Sequence, residues 1–280
     1  MNKIGLRNAW SAFMVFVAAL AAGLAALLLA MIFAYVVGKG AGAINWSFFT
    51  QIPRPIGVTG GGVANAIVGS IEIIMLASIA AVPIGTAAGI YLALFGRGGL
   101  AQSVRFLSDV LTGVPSIAIG VFAYALIVLP TKQFSAVSAA VALGVIMLPI
   151  IVRTTEEAVR LVPGVIREGA LALGLPVWKA TLMVTVPVAR PGITTGILLS
   201  IARVAGESAP LLFTAFGNPQ WGGGLGKPIA ALPLVIFQYA ISPYKDWQQT
   251  AWGGALILIV LVFALNLSAR LAFRSRLATK

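Results

Sequence analysis

The feature that most limits what this chain can fold into is a set of apolar runs long enough to cross a bilayer. A spanning helix takes roughly 20 mostly apolar residues, and six stretches qualify, at about 9–37, 65–95, 105–129, 136–152, 193–216 and 250–272. With 60% of residues apolar and 9% charged, most of the length belongs in hydrocarbon. The expectation is an all-α membrane protein with six transmembrane helices. No linker, composition shift or internal repeat divides the chain, so residues 1–280 read as a single transmembrane domain. The first stretch is too long for a signal peptide and lacks a clear small-residue cleavage site, so it is expected to stay as an anchor, with Trp10 and Tyr35 at interface depth.

The absence of Cys and His removes disulfides, thiolate nucleophiles, imidazole bases and the usual zinc and haem ligands. No catalytic residue and no metal site is expected. A formal net charge of +12 invites a nucleic-acid reading, but the basic residues are spread between the apolar runs and form no RNA- or DNA-binding module. Membrane orientation explains them better. One side of the membrane collects Lys3, Arg7, Arg97, Arg105, Arg153, Arg160, Arg167, Lys179, Arg190, Arg270, Arg274, Arg276 and Lys280, 13 in all, and the other collects 5: Lys39, Arg54, Lys132, Lys227 and Lys245. Excess positive charge stays inside, so both termini and the loop at about 153–192 are expected in the cytoplasm.

Two sizeable external loops follow, at about 38–64 and 217–249, rich in aromatic residues that suit either an interfacial belt or a partner surface. The second contains Gly222-Gly223-Gly224-Leu225-Gly226-Lys227-Pro228, the nearest approach to a phosphate-cradling loop. Trp221 occupies the first glycine position and Pro228 replaces the magnesium-binding hydroxyl, so it reads as a flexible turn. Asn45-Trp46-Ser47 fits a glycosylation pattern too short to carry weight.

The fourth stretch continues into a polar helix in which Arg153 with Glu157, and Glu156 with Arg160, stand four residues apart. This is expected to carry the span into water. Pro163-Gly164 breaks it, and Val165 to Gly174 reads as a short helix closed by a glycine. A second turn with Trp178, Leu182 and Val186 leads to Pro187, and Arg190-Pro191-Gly192 is expected to return the chain to the membrane. Gly169, Ala170 and Ala172 supply small residues for close approach of another protein, and Leu171, Leu173 and Trp178 supply apolar ones. An amphipathic helix lying on headgroups remains the other reading of the same residues.

Glu168-Gly169-Ala170, three residues, Gly174, nine residues and Val184-Thr185-Val186-Pro187 resemble the coupling-loop signature of ABC importer permeases, Glu-Ala-Ala, x3, Gly, x9, Ile-x-Leu-Pro. Gly169 departs from the family's alanine, at about 1 kcal/mol of helix propensity. The resemblance implies the type I permease fold, with a cytoplasmic coupling helix seated in a groove of a separate ATPase subunit. Glu168, Gly169, Ala170, Gly174 and Pro187 are then the ATPase-coupling residues. ATP and Mg would be bound by the partner ATPase and no cofactor by this chain, which would not itself be an enzyme.

Charge inside the bilayer costs about 2.5–3.5 kcal/mol on insertion scales, so each such residue needs a partner or a wet cavity. Arg203 lies about ten residues into the fifth stretch, roughly 15 Å along a helix and so near the midplane. An ion pair with Glu207 is one reading, although Arg before Glu is the weaker order. The other is a guanidinium lining a path and attracting an anion, with Ser208 and a kink at Pro210 offering hydroxyl and carbonyl groups beside it. Asp109 is expected at the start of the third span, where the helix dipole favours a carboxylate. Glu72 has no ready explanation beyond pairing across a subunit interface.

Ala202 to Thr214 is similar to the Arg-x-x-Gly-Glu-Thr-Ala-Pro-Leu stretch of phosphate-importer A-type permeases, with Ser208 in place of threonine. Gly113-Val114-Pro115-Ser116-Ile117 and Gly120-Val121-Phe122 resemble the third span of the same subunits. Arg203, Glu207 and Ser208 are thereby candidates for the substrate path. The resemblance implies a prokaryotic inner or plasma membrane, alternating access, and four kinds of partner: a homologous C-type permease, an ABC ATPase dimer, an external phosphate-binding protein and membrane lipid. Another oxyanion as cargo, or a secondary transporter or channel relaying ions through Glu72, Asp109 and Glu207, are the alternatives. A membrane phosphatase is weaker, for want of any His.

Overall fold

A computed structural model of the chain describes residues 3–55, 58 and 60–274. Arg276 and Lys280 of the charge count lie outside them. Helix α1 (Lys3–Gly40) is apolar all round and exposed along most of its length, as a helix bathed in hydrocarbon should be. It meets protein near its end, where Tyr35 stands edge-on to Trp252 with ring centroids 5.3 Å apart. After it comes α2 (Trp46–Thr50), capped by Asn45, whose Oδ1 accepts from Phe48 N–H at 2.9 Å. The asparagine of the glycosylation pattern is thus used as a helix cap.

Lipid supplies no hydrophobic drive between helices, so close approach at small residues takes its place. Helices α3 (Ala64–Leu94) and α6 (Ala136–Arg160) cross at Gly85 and Gly89, where an added Cβ would lie 2.9 Å from Ile151 and 2.6 Å from Thr155. On its other side α6 meets α8 (Val177–Ala205) at Gly192 and Gly196, where a Cβ would come 2.7 Å from Ala158 and 2.0 Å from Thr154. The core therefore centres on α6, with Leu143, Met147 and Ile151 fully buried.

Among the described residues five helices are long and apolar enough to span, and a sixth span is a bent pair. That pair is the third stretch. Expected as one straight helix over 105–129, it is α4 (Gly99–Gly113) and α5 (Ser116–Thr131), turned by 106°. Pro115 disfavours helical backbone at Val114, which is extended at φ −69°, ψ 131°.

The fifth stretch also differs from expectation. It is no independent span over 193–216: α8 begins at Val177 and runs unbroken to Ala205, the chain opens over Gly206–Ser208, and α9 (Ala209–Thr214) follows. The helix passes through Pro187 and Arg190-Pro191-Gly192 without a break. A π turn over Ala180–Thr185 precedes Pro187, and another over Tyr124–Val128 precedes Pro130. The wider hydrogen-bond spacing takes up the missing N–H and the ring without ending the helix.

The second external loop is not all loop. It holds α10 (Leu232–Ala240), whose Leu232 and Leu234 are buried and which packs on α11 (Lys245–Arg274). Gly222, Gly223 and Gly224 are exposed and irregular, and a turn follows in which Lys227 N–H donates to Gly224 C=O at 3.1 Å.

Candidate functional site

The two interrupted spans lie side by side. Their first halves, α4 and α8, both pack on α6, and their second halves, α5 and α9, pack on each other. Gly120 approaches α9 so closely that a Cβ would stand 2.6 Å from Pro210 Cα. Where the breaks meet, Arg203 shares a cleft of about 10 Å³ with Leu111, Thr112, Val114, Ser116, Ile119, Ile146 and Ile150. That is room for about one water.

Arg203 occupies the last turn of α8, just before the chain opens at Gly206. Its side chain is exposed and, among the described residues, has no ion pair or hydrogen bond. The alternative in which Glu207 pairs with it is not formed. A spacing of four brings two side chains together only on continuous helix, and here Gly206 N–H turns back to Arg203 C=O at 3.4 Å, ending α8 before Glu207. Ser208 precedes α9, its carbonyl accepting from Leu212 N–H at 3.1 Å. Pro210 therefore sits in the first turn of a helix, where its missing N–H leaves nothing unpaired, and the kink expected there is a break over the preceding residues.

The expected coupling residues form a second constellation at the opposite end of α8. Pro163 opens α7 (Gly164–Ala172), and Gly174 closes it with φ +82°. Leu175 N–H donates to Ala170 C=O at 3.2 Å and Gly174 N–H to Leu171 C=O at 2.9 Å, the paired bonds of a Schellman end. Ala170 is buried, whereas Glu168 and Gly169 are exposed, beside uncovered Val165, Leu173 and Trp178. Arg167 ties the hairpin to the end of α3, its guanidinium 5.9 Å from the Phe95 ring centroid. Glu168, Gly169, Ala170 and Gly174 thus share one hairpin, and Pro187 lies further on, within the first half of α8. At 1.5 Å per residue α8 carries the chain about 40 Å from that hairpin to Arg203.

Sequence reasoning missed a charged cluster where α4 meets α6. Glu156 is 1% exposed, with Arg105 Nε at 2.7 Å, Arg160 Nη2 at 2.6 Å and Arg153 Nη1 at 3.7 Å. Arg105 also donates to the carbonyls of Leu92 and Gly96, at 2.8 and 3.3 Å, satisfying the end of α3. The pairing of Arg160 with Glu156 follows the helical spacing. Arg153 does not pair with Glu157: it bonds Asp109, with Nε 2.8 Å from Oδ1. The end of α6 accordingly buries Glu156 between helices while Glu157 and Arg160 remain exposed. Asp109 is late in α4, so an arginine and not a helix N-terminus compensates it. Glu72 is half-buried and, among the described residues, has no side-chain partner.

These features, two interrupted spans flanking an unpaired arginine and a helical hairpin at the far end of one of them, are those of a transport permease. Residues 85–276 match the family described as binding-protein-dependent transport system inner membrane component, and the chain belongs to that family. The chain is 50% identical over 236 residues to the phosphate transport system permease protein PstA of Xylella fastidiosa, covering 84% of this chain and 82% of that one. It is 44% identical over 241 residues to PstA of Yersinia pestis, covering 86% and 82%. Its fold matches a chain of the MetNI methionine ABC transporter in an inward-facing conformation with a TM-score of 0.63 at 19% identity, over 75% of this chain and 95% of that one. The fold is that of an ABC importer permease, a membrane component that works with partner subunits.

Proposed function

We propose that this chain is the A-type permease of an ATP-driven inorganic phosphate importer. The observation that carries the reading is Arg203, an unpaired guanidinium held where two interrupted spans face each other. A planar cation with several donors suits a tetrahedral oxyanion, and relatives covering more than four-fifths of the chain carry phosphate transport in their names. Arg203, Ser208 and Glu207 would border the path, the first attracting the anion and the last keeping its hold weak.

Glu168, Gly169, Ala170 and Gly174 would dock on the ATPase, with Pro187 fitted into the helix that leaves the dock. ATP and Mg would be held by the ATPase dimer, and a C-type permease and an external phosphate-binding protein would complete the system. The excess of Lys and Arg on the hairpin side supports cytoplasmic termini. The test is ATP-driven uptake by the purified complex in liposomes, comparing phosphate with sulfate and molybdate. Wild type should favour phosphate, and Arg203→Gln should lower its uptake at least tenfold with assembly intact. A preference for sulfate would overturn the cargo, and uptake without the ATPase would overturn the whole reading.

A further inference from the structure

Two acid–arginine rungs join α4 to α6, and they are unequal. In the first, Glu156 is buried and Arg105 is held at three points, by that carboxylate and by the carbonyls of Leu92 and Gly96. In the second, Arg153 reaches Asp109, whose side chain is 58% exposed. Arg153 is also shared with the first rung, through a different nitrogen. Its Nη1 is 3.7 Å from Oε2 of Glu156, and that oxygen is buried without a hydrogen bond. A buried carboxylate oxygen lacking a donor draws one, and a shift of under about 1 Å would bring the guanidinium within bonding distance.

We propose that Arg153 is a two-position arm and that Asp109 and Arg153 are positioning residues for transport. With Arg153 on Asp109, the end of α4 is held against α6. With Arg153 turned to Glu156, that end is free while the Arg105 rung keeps the start of α4 in place. The consequence reaches the cleft because Thr112 and Val114, which line it with Arg203, lie three and five residues beyond Asp109. On a helix that is about 5–8 Å. The arm therefore sets how the first interrupted span presents itself to Arg203 without touching the cargo. This rests on the permease reading above, and it names a moving part of the same site.

The experiment uses the assembled complex in liposomes and the variants Asp109→Asn and Asp109→Glu. Asp109→Asn is expected to lower uptake per ATP hydrolysed at least threefold with the KM for phosphate within twofold of wild type, and Asp109→Glu to restore coupling. A raised KM with unchanged uptake per ATP would mean that the pair contacts cargo, and wild-type behaviour in both would mean that it does nothing; either overturns the proposal. A second readout is independent of cargo and of assembly. Because the chain has no cysteine, Thr112→Cys can be labelled alone in the purified chain in detergent. Labelling by a small maleimide should be at least threefold faster when Asp109→Asn is added, and an unchanged rate would overturn the arm even if phosphate proves to be the wrong anion.

Discussion

Removing the Glu156 carboxylate should destabilise this chain far more than removing the neighbouring Glu157 carboxylate, although both sit at the same end of α6. Glu156 is 1% exposed, with three guanidinium groups at 2.7, 2.6 and 3.7 Å. Removing one partner of a buried ion pair typically costs about 3–5 kcal/mol, because the other charge is left in a poor solvent. Arg160 and Arg153 have side chains 53% and 33% exposed, so water takes over much of their loss, at about 1 kcal/mol or less each. Arg105, at 23%, cannot escape in the same way, though the carbonyls of Leu92 and Gly96 still accept from it. Glu156→Gln should therefore cost about 3 kcal/mol, near the lower end of that range. Glu157→Gln, on an exposed residue, should stay within about 0.5 kcal/mol. The assay is reversible unfolding of the purified chain by SDS in mixed micelles, followed by tryptophan fluorescence. The double variant Arg105→Gln, Glu156→Gln should lose less than the sum of the two singles. If Glu156→Gln and Glu157→Gln differ by under about 1 kcal/mol, the account of a buried, charge-dense junction is wrong.

Gly196→Ala would set a methyl 2.0 Å from Thr154 Oγ1 and should cost about 1–3 kcal/mol in the same assay, whereas Gly23→Ala, with nothing within 4 Å, should stabilise by up to about 1 kcal/mol. Gly174 has φ +82°, so Gly174→Ala should cost about 1–2 kcal/mol locally, read as faster amide exchange over α7, while Gly174→Asn should retain most of the protection. Glu168→Lys should leave membrane insertion intact and abolish recovery of the ATPase with the permease on an affinity column; full recovery would remove Glu168 from the dock.

Span number, the short helix after Pro163 and the turn at Gly174 were legible in the sequence, because each rests on a local cue: a run long enough for the bilayer, a proline–glycine stop, a glycine placed for positive φ. What was not legible depends on partners far along the chain. Arg153 has an acid four residues on in Glu157 and pairs instead with Asp109, 44 residues back. The bend at Pro115 and the tolerance of Pro187 show why proline alone is a poor guide. At Pro115 the preceding residue is extended and the helix ends, whereas ahead of Pro187 a π turn absorbs the ring. The end of the helix just after Arg203 was not legible either, since composition locates an apolar run but not where a glycine opens it.

On the proposed function, the continuity of α8 would matter to transport as well as the residues on it. If Pro187 or Pro191 broke the helix, movement of the hairpin would dissipate at the break, and the two constellations would be joined only by a flexible chain. Because they do not, α8 runs as one rod from the hairpin that precedes it to Arg203. The rod is pinned to α6 at Gly192 and Gly196, where the contacts leave no room for a methyl group. From Gly196 it is about 29 Å back to Val177 and about 10 Å forward to Arg203. A rigid rocking about that crossing reduces a displacement at the hairpin about threefold at the arginine. An ATPase stroke of about 3 Å would then shift the guanidinium by about 1 Å, enough to make or lose a hydrogen bond. Transport on this geometry needs only a small change at Arg203, and the close glycine crossing, not the arginine itself, fixes its size.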